Sequence, residues 1–277
     1  MIINSILKYR VCFKGVKYMK KRIISAVVMA LIGIPILIIG KTPYVILIAL
    51  LALCAYKELL DLKKSHGEYP LIVVLFSLVG LMLMVLSSLE GFNMVSCQKM
   101  ILLISIILLL MSIFFDNDKY DTKDAFYLIG VTLFLGISFN FLIKLRMESI
   151  YEVIYVFGVP ILNDVFAYFG GMLFGNHKMC KISPKKTWEG AIIGLLFGTT
   201  GGVLIQTFLL NGFSFKIIAI TMLLSIVGQM GDLFFSKIKR ENEIKDFSNL
   251  IPGHGGILDR FDSALFVVLA YVALRVI

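Results

Sequence analysis

Nine long apolar runs follow one another along this chain, at residues 23–40, 43–56, 71–89, 100–115, 125–143, 151–175, 189–210, 217–235 and 263–277. They leave almost nothing over for a water-facing surface. A helix that crosses the hydrocarbon core needs about 20 apolar residues, within a working range of roughly 17 to 25. These runs are apolar on every face, whereas membrane-barrel strands would alternate in segments of about ten residues. A mean hydropathy of +0.92 with 16% charged residues excludes a soluble domain. The expected fold is an all-α polytopic integral membrane protein of about nine transmembrane helices.

The distribution of Lys and Arg sets the expected orientation, because cytoplasmic loops carry an excess of both. With nine crossings and a cytoplasmic N-terminus, 21 of the 27 Lys and Arg fall inside. Omitting the short run 43–56 leaves only 12 inside, so nine crossings with the N-terminus cytoplasmic and the C-terminus outside is the better arrangement. The chain then reads as a basic cytoplasmic segment (1–22), N-terminal transmembrane helices (23–150) and a C-terminal catalytic transmembrane region (151–277), in one integrated domain. Met19 opens the stretch MKKRIISA, a natural start for an anchor, so residues 1–18 are expected to be a dispensable extension. The net charge of +9 lies mostly in the inside loops, where it attracts anionic headgroups or an anionic substrate. It does not imply nucleic acid.

Several motifs can be set aside. Cys12, Cys54, Cys97 and Cys180 lack metal-site spacing and are expected to be free thiols. The acids Asp116, Asp118, Asp121 and Asp124 lack the glycine and closing glutamate of a calcium loop and read as a solvated loop. His66 and His177 lie in polar loops without an evident partner. Gly190, Gly194, Gly198 and Gly202 recur every fourth residue on one helix face, a stripe that lets another helix approach closely within the subunit or across a dimer.

The chemistry concentrates in residues 232–262. Asp232 stands inside an apolar run, where a carboxylate is costly unless it is paired, metal-bound or facing water. Asp232, Ser236, Lys239 and Arg240 fall on one helix face. The loop continues through Lys245, Asp246, Gly253, His254, Gly255 and Gly256 to Asp259, Arg260 and Asp262. Glycines let backbone amides approach phosphate oxygens. Asp259 and Asp262, at i and i+3, can present oxygens to a hard cation such as Mg²⁺, while Lys239, Arg240, Lys245 and Arg260 supply positive charge for phosphates. A second constellation joins Asp164, again a carboxylate at membrane depth, to Ser183, Lys185 and Lys186, a turn that ends at a helix start with Thr187 as N-cap.

At fixed spacing, Ser236-x-Ile238-Lys239-Arg240-x4-Lys245-Asp246-x-Ser248-x2-Ile251-Pro252-x-His254-Gly255-Gly256-Ile257-x-Asp259-Arg260-Phe261-Asp262 resembles the signature of phosphatidate cytidylyltransferases, also called CDP-diacylglycerol synthases. The stretch SPKKTWEG and the Asp-x-x-Ala-Tyr-x-x-Gly pattern at 164–171 resemble a second region of that family, so the similarity runs from about residue 160 to the end. Upstream spans carry little beyond hydropathy. Gly171 departs from the pattern, standing where the family often has Lys or Arg.

The resemblance implies a Mg²⁺-dependent nucleotidyltransferase of phospholipid biosynthesis that makes CDP-diacylglycerol and pyrophosphate from CTP and phosphatidate. It also implies a homodimer among membrane lipids, a polar cavity open to the cytoplasm and laterally to lipid, and K⁺ beside Mg²⁺. The matching metal acids are Asp232 and Asp259. Lys239, Arg240, Lys245, Asp246, His254, Arg260 and Asp262 complete the expected catalytic set, with Asp164, Ser183, Lys185, Lys186, Ser236, Gly253, Gly255 and Gly256 binding substrate. The expected location is the plasma membrane, with the active site facing the cytoplasm. A secondary transporter also buries carboxylates, but its polar breaks would recur in both halves. A CDP-alcohol phosphatidyltransferase would carry a D-G-x2-A-R motif, which is absent.

Overall fold

The computed structural model describes residues 2–65, 68–89, 94–116, 119–210 and 212–275, with side chains from Lys21 onward except at 64, 65 and 94. His66 and Asp118 therefore lie outside the described residues, as do the side chains of 1–18. The described residues form nine α-helices: α1 (Ile2–Ile39), α2 (Lys41–Leu60), α3 (Leu71–Leu86), α4 (Met94–Met111), α5 (Thr122–Glu148), α6 (Ile150–Phe174), α7 (Trp188–Leu209), α8 (Phe215–Glu241) and α9 (Leu258–Arg275). Each apolar run became a helix, and no strand longer than an isolated bridge occurs among these residues.

Five stretches are long and apolar enough to cross a membrane: Lys21–Ile39 of α1, and α5, α6, α7 and α8 in full. α3 and the stretch Val95–Met111 of α4 are apolar but shorter. Their outward faces carry bare aliphatic side chains such as Leu31 and Leu196, 68% and 60% exposed, a surface suited to lipid.

Local chemistry fixes the helix ends. α1 stops at Gly40, whose φ of +66° favours glycine, and Arg146 donates from Nε to Leu37 O (2.6 Å) and from Nη2 to Ile38 O (2.9 Å). At the start of α5, Asp121 and Asp124 form a reciprocal capping box, and Asp124 also pairs with Lys63. These two acids, expected in a solvated loop, instead cap a helix and tie it to the turn after α2. Cys54, Cys97 and Cys180 are free thiols, as expected.

The glycine stripe explains the tightest helix pair, α6 against α7. A Cβ on Gly190 would stand 2.6 Å from Ala167 O, and one on Gly194 would stand 2.7 Å from Asn163 O. Gly198 meets Asn163 and Ser225 in the same way, and Gly202 meets Thr221 and Val159, so the stripe serves packing within the subunit. At the end of the bundle where α9 finishes, Tyr271 Oη donates to Glu152 (2.5 Å) and Arg275 reaches Glu148 (2.5 Å) and Glu152 (3.4 Å). The site lies at the opposite end, where α6 and α8 finish and α7 and α9 begin.

Candidate active site

Four polar residues share one face of α8, and three of them reach other elements. Lys186, from the turn before α7, places Nζ 2.5 Å from Asp232 Oδ2, and Ser236 Oγ donates to Asp232 Oδ1 (3.3 Å). One turn on, Lys239 Nζ donates to Asp259 Oδ1 (2.8 Å) at the start of α9. Arg240 reaches Ile182 O (3.5 Å) with Nε and Ile244 O (3.1 Å) with Nη1, bridging two loops. A single helix thus gathers the turn before α7, the 242–257 loop and α9.

The two ion pairs differ in burial. Asp259 and Lys239 side chains are 3% and 11% exposed, against 23% and 29% for Asp232 and Lys186. Both Asp259 oxygens are engaged, since Oδ2 accepts from Phe247 N and Gly256 N, each at 2.9 Å. Asp259 therefore organises the loop. Gly255 sits at φ +85°, and a Cβ there would stand 2.8 Å from Asp259 Oδ2, so only glycine fits. The amides of Gly255 and Gly256, expected to face phosphate, are spent on Ile251 O (3.1 Å) and Asp259.

Glu58 of α2 is the residue that sequence reasoning missed. Its carboxylate, on a residue 4% exposed, accepts from Ser248 Oγ (2.7 Å), Ile257 N (2.8 Å) and Leu258 N (2.8 Å). Ile257 N, just ahead of α9, and Leu258 N, its first amide, have no acceptor within the helix, so Glu58 caps the helix that carries Asp259 and Asp262. A side chain at Gly256 would collide with this carboxylate. A lone glutamate two residues before the end of an apolar helix was the only signal in the sequence.

α1 closes the loop from the other side. Ser25 Oγ lies 2.7 Å from His254 Nδ1 and donates to Pro252 O (2.9 Å). Burial, and then the charges of Arg260 and Arg22, hold the imidazole below its ordinary pKa and favour its neutral form. Arg260 donates from Nε (2.9 Å) and Nη2 (2.6 Å) to His254 O. Lys245 and Asp246 lie exposed on the same loop.

A chamber of ≈ 350 Å³ opens between α6, α7 and α8, with Asp164, Gly171, Lys185, Lys186, Gln229 and Asp232 in its wall. Asp164, Asp232 and Asp262 lie within range of one another's charge, while Asp262 Oδ1 accepts from Ser263 N (2.7 Å). Gln229 Nε2 donates to Asn163 Oδ1 (2.8 Å) and Ala191 O (3.0 Å), which fixes the chamber floor. The expected turn is present: Lys186 N donates to Ser183 O (3.0 Å) and Thr187 Oγ1 accepts from Gly190 N (3.2 Å). Glu189 meets His177 Nδ1 at 2.5 Å, giving His177 a partner. At Gly171 a Cβ would stand 3.1 Å from Thr187 Oγ1, so this glycine allows the start of α7 to come close, and the lysines nearby come from that turn.

Fold and site together define a helical membrane protein with an acid- and lysine-lined chamber at the ends of its helices, an arrangement that handles phosphates at a membrane surface. Comparison with known proteins narrows that class. Residues 20–277 match the model of the Cytidylyltransferase family, and the chain belongs to that family. It is 36% identical over 255 residues to the phosphatidate cytidylyltransferase of Staphylococcus haemolyticus, covering 90% of this chain and 96% of that protein. The proteins of that name from Staphylococcus aureus and Bacillus subtilis are each 34% identical over 90% of this chain, with 96% and 95% of their own lengths covered.

Proposed function

We infer that this chain is a phosphatidate cytidylyltransferase, converting CTP and phosphatidate to CDP-diacylglycerol and pyrophosphate. The observation that carries the reading is the fold of the family signature. Its loop closes on the buried Lys239–Asp259 pair, directly beside a chamber whose wall holds Lys185, Lys186 and Asp232.

In this reading a phosphate oxygen of phosphatidate attacks the α-phosphorus of CTP. One P–O bond forms, the bond to the β-phosphate breaks, and pyrophosphate leaves. No covalent enzyme chemistry is needed, so positioning and charge stabilisation carry the rate. Lys185 and Lys186, on the turn that ends at the start of α7, hold the triphosphate. Ser236 orients Asp232, and Arg240 keeps the two loops in register.

The donor set suits Mg²⁺. Among the described residues no three His, Cys, Asp or Glu side chains converge on one point. One or two carboxylates, with waters and substrate phosphates completing the octahedron, are how this ion is usually held. Asp232 would hold it, with Asp262 and Asp164 within charge range. Asp259 would take part by exchanging Lys239 at Oδ1. Bound there, the ion would neutralise charge on the transferring phosphoryl group and the departing pyrophosphate.

Nine crossings, an N-terminus inside and an active site on the cytoplasmic face of the plasma membrane complete the reading, supported by the 21 of 27 Lys and Arg that this arrangement places inside. A homodimer surrounded by lipid belongs to the same proposal. The test is pyrophosphate release by purified protein in mixed micelles, with phosphatidate, Mg²⁺, with and without K⁺, and each of four nucleoside triphosphates. Turnover confined to CTP or dCTP, requiring phosphatidate and Mg²⁺ and lost in Asp232→Asn, is expected. Absence of CTP-dependent turnover from folded protein would overturn the assignment.

A further inference from the structure

A second cavity, ≈ 610 Å³ and separate in its lining from the chamber, lies between α1, α2, α6 and the start of α9. Its wall includes Gly33, Leu51, Phe157, Ile161, Phe261 and Arg260, and Arg260 is the one charged residue in it. On α1 the lining runs from Val28 to Leu37, which at 1.5 Å per residue makes a slot about 13 Å long, parallel to the helices. The shape and polarity are those of a groove for one hydrocarbon chain, with a cation at the end where the signature loop sits.

The register of α6 connects this slot to the chamber. Phe157 and Ile161 line the slot, while Asp164, Tyr168 and Gly171 line the chamber. Spaced at i, i+4, i+7, i+11 and i+14, these five residues form one continuous stripe of the helix. A molecule lying along that stripe passes from an apolar slot, with Arg260 in its wall, to the acids and lysines of the chamber. Two of the three guanidinium nitrogens of Arg260 are committed to His254 O, and Nη1 makes no hydrogen bond among the described residues.

We propose that the slot between α1, α2 and α6 receives one acyl chain of the substrate phosphatidate, with Arg260 guiding its phosphate toward the chamber. This rests on the reading of the chamber as the cytidylyl-transfer site and adds to it the element that measures the lipid's tail. α1 becomes part of the lipid site, held to the signature loop through Ser25 and His254.

Gly33 provides the test, because a Cβ there meets nothing within 4 Å and a larger side chain projects into open slot. Leucine is also a better helix former than glycine, so Gly33→Leu is expected to fold. Initial rates are measured for the full chain in neutral mixed micelles, with dioleoyl and with dihexanoyl phosphatidate. Forcing a leucine side chain into the space the chain occupies overpacks the slot, so KM for the dioleoyl substrate should rise about tenfold. KM for the dihexanoyl substrate, KM for CTP and kcat stay unchanged, and Gly33→Ala behaves as the parent. Equal effects on both lipids, or none, would overturn the slot while leaving cytidylyl transfer intact. So would a defect that follows added phosphatidylglycerol, marking a non-reacting lipid, or a changed oligomeric state, marking a helix of a second copy. Absence of turnover in the unmodified chain would overturn the underlying function and the slot with it.

Discussion

Replacing Glu58 with alanine removes a buried carboxylate that accepts three hydrogen bonds, two of them from the amides of Ile257 and Leu258 where α9 begins. Hydrogen bonds to a charged group contribute about 1.5–3 kcal/mol each, and a buried amide left without an acceptor costs about 1–3 kcal/mol. These terms overlap because they describe the same contacts, so the loss is about 4 kcal/mol rather than their sum. That is about a thousandfold in the equilibrium between docked and undocked loop. The start of α9, with Asp259 and Asp262, would then leave its place for a substantial part of the time. The assay pairs turnover with the rate of protease cleavage between residues 242 and 257, in the same micelles. Expected results are a fall in kcat/KM of at least about a hundredfold and much faster cleavage, with Glu58→Gln intermediate because one acceptor oxygen survives. Ser248→Ala, which removes one of the three bonds to the carboxylate, should cost about 1.5–3 kcal/mol. Wild-type turnover together with wild-type protection in Glu58→Ala would refute the reasoning.

The two ion pairs should respond differently to neutralisation. Asp259→Asn strands Lys239 at 11% exposure, so it should lower stability by about 3–5 kcal/mol in thermal unfolding and cut turnover at least about a hundredfold. Asp232→Asn, in the more exposed pair, should leave Tm nearly unchanged although turnover is lost. The pKa of His254 is held below its ordinary value of 6.5, so the unfolded chain binds its proton first as pH falls. Its contribution is complete above about pH 6.5 and declines below it, and Tm scans from pH 7.5 to 5.5 should show a drop that His254→Gln flattens. Gly194→Leu would drive a side chain into Asn163 and Ala167, so α6 and α7 should separate, seen as loss of a cysteine cross-link engineered between them.

Much of this was legible in the sequence because the responsible physics is local. Apolar runs longer than a dozen residues become helices in any membrane environment, since every backbone group must be satisfied within its own segment. Even so, α8 runs to Glu241, six residues past its apolar run, because Lys239 and Arg240 are held by Asp259 and by loop carbonyls. The glycine stripe announced a close helix neighbour without saying which; α6 is that neighbour. The capping box of α5 was written in Asp121 and Asp124 but was masked by their resemblance to a solvated acidic loop.

The sequence by itself determined the all-helical membrane class, the residues that carry charge into it, and, through their spacing in the C-terminal third, the family. Only the tertiary structure decided how those charges pair: Lys186 with Asp232, Lys239 with Asp259, and Glu58 with a helix start about 200 positions away in the chain. It also gave different neighbours to the two acids that the resemblance pairs, engaging Asp259 in the loop and placing Asp232 at the chamber. The reason is that a buried charge is stable only beside its partners, and helices distant in sequence supply those partners. Hydropathy and spacing describe one helix at a time and cannot record such contacts.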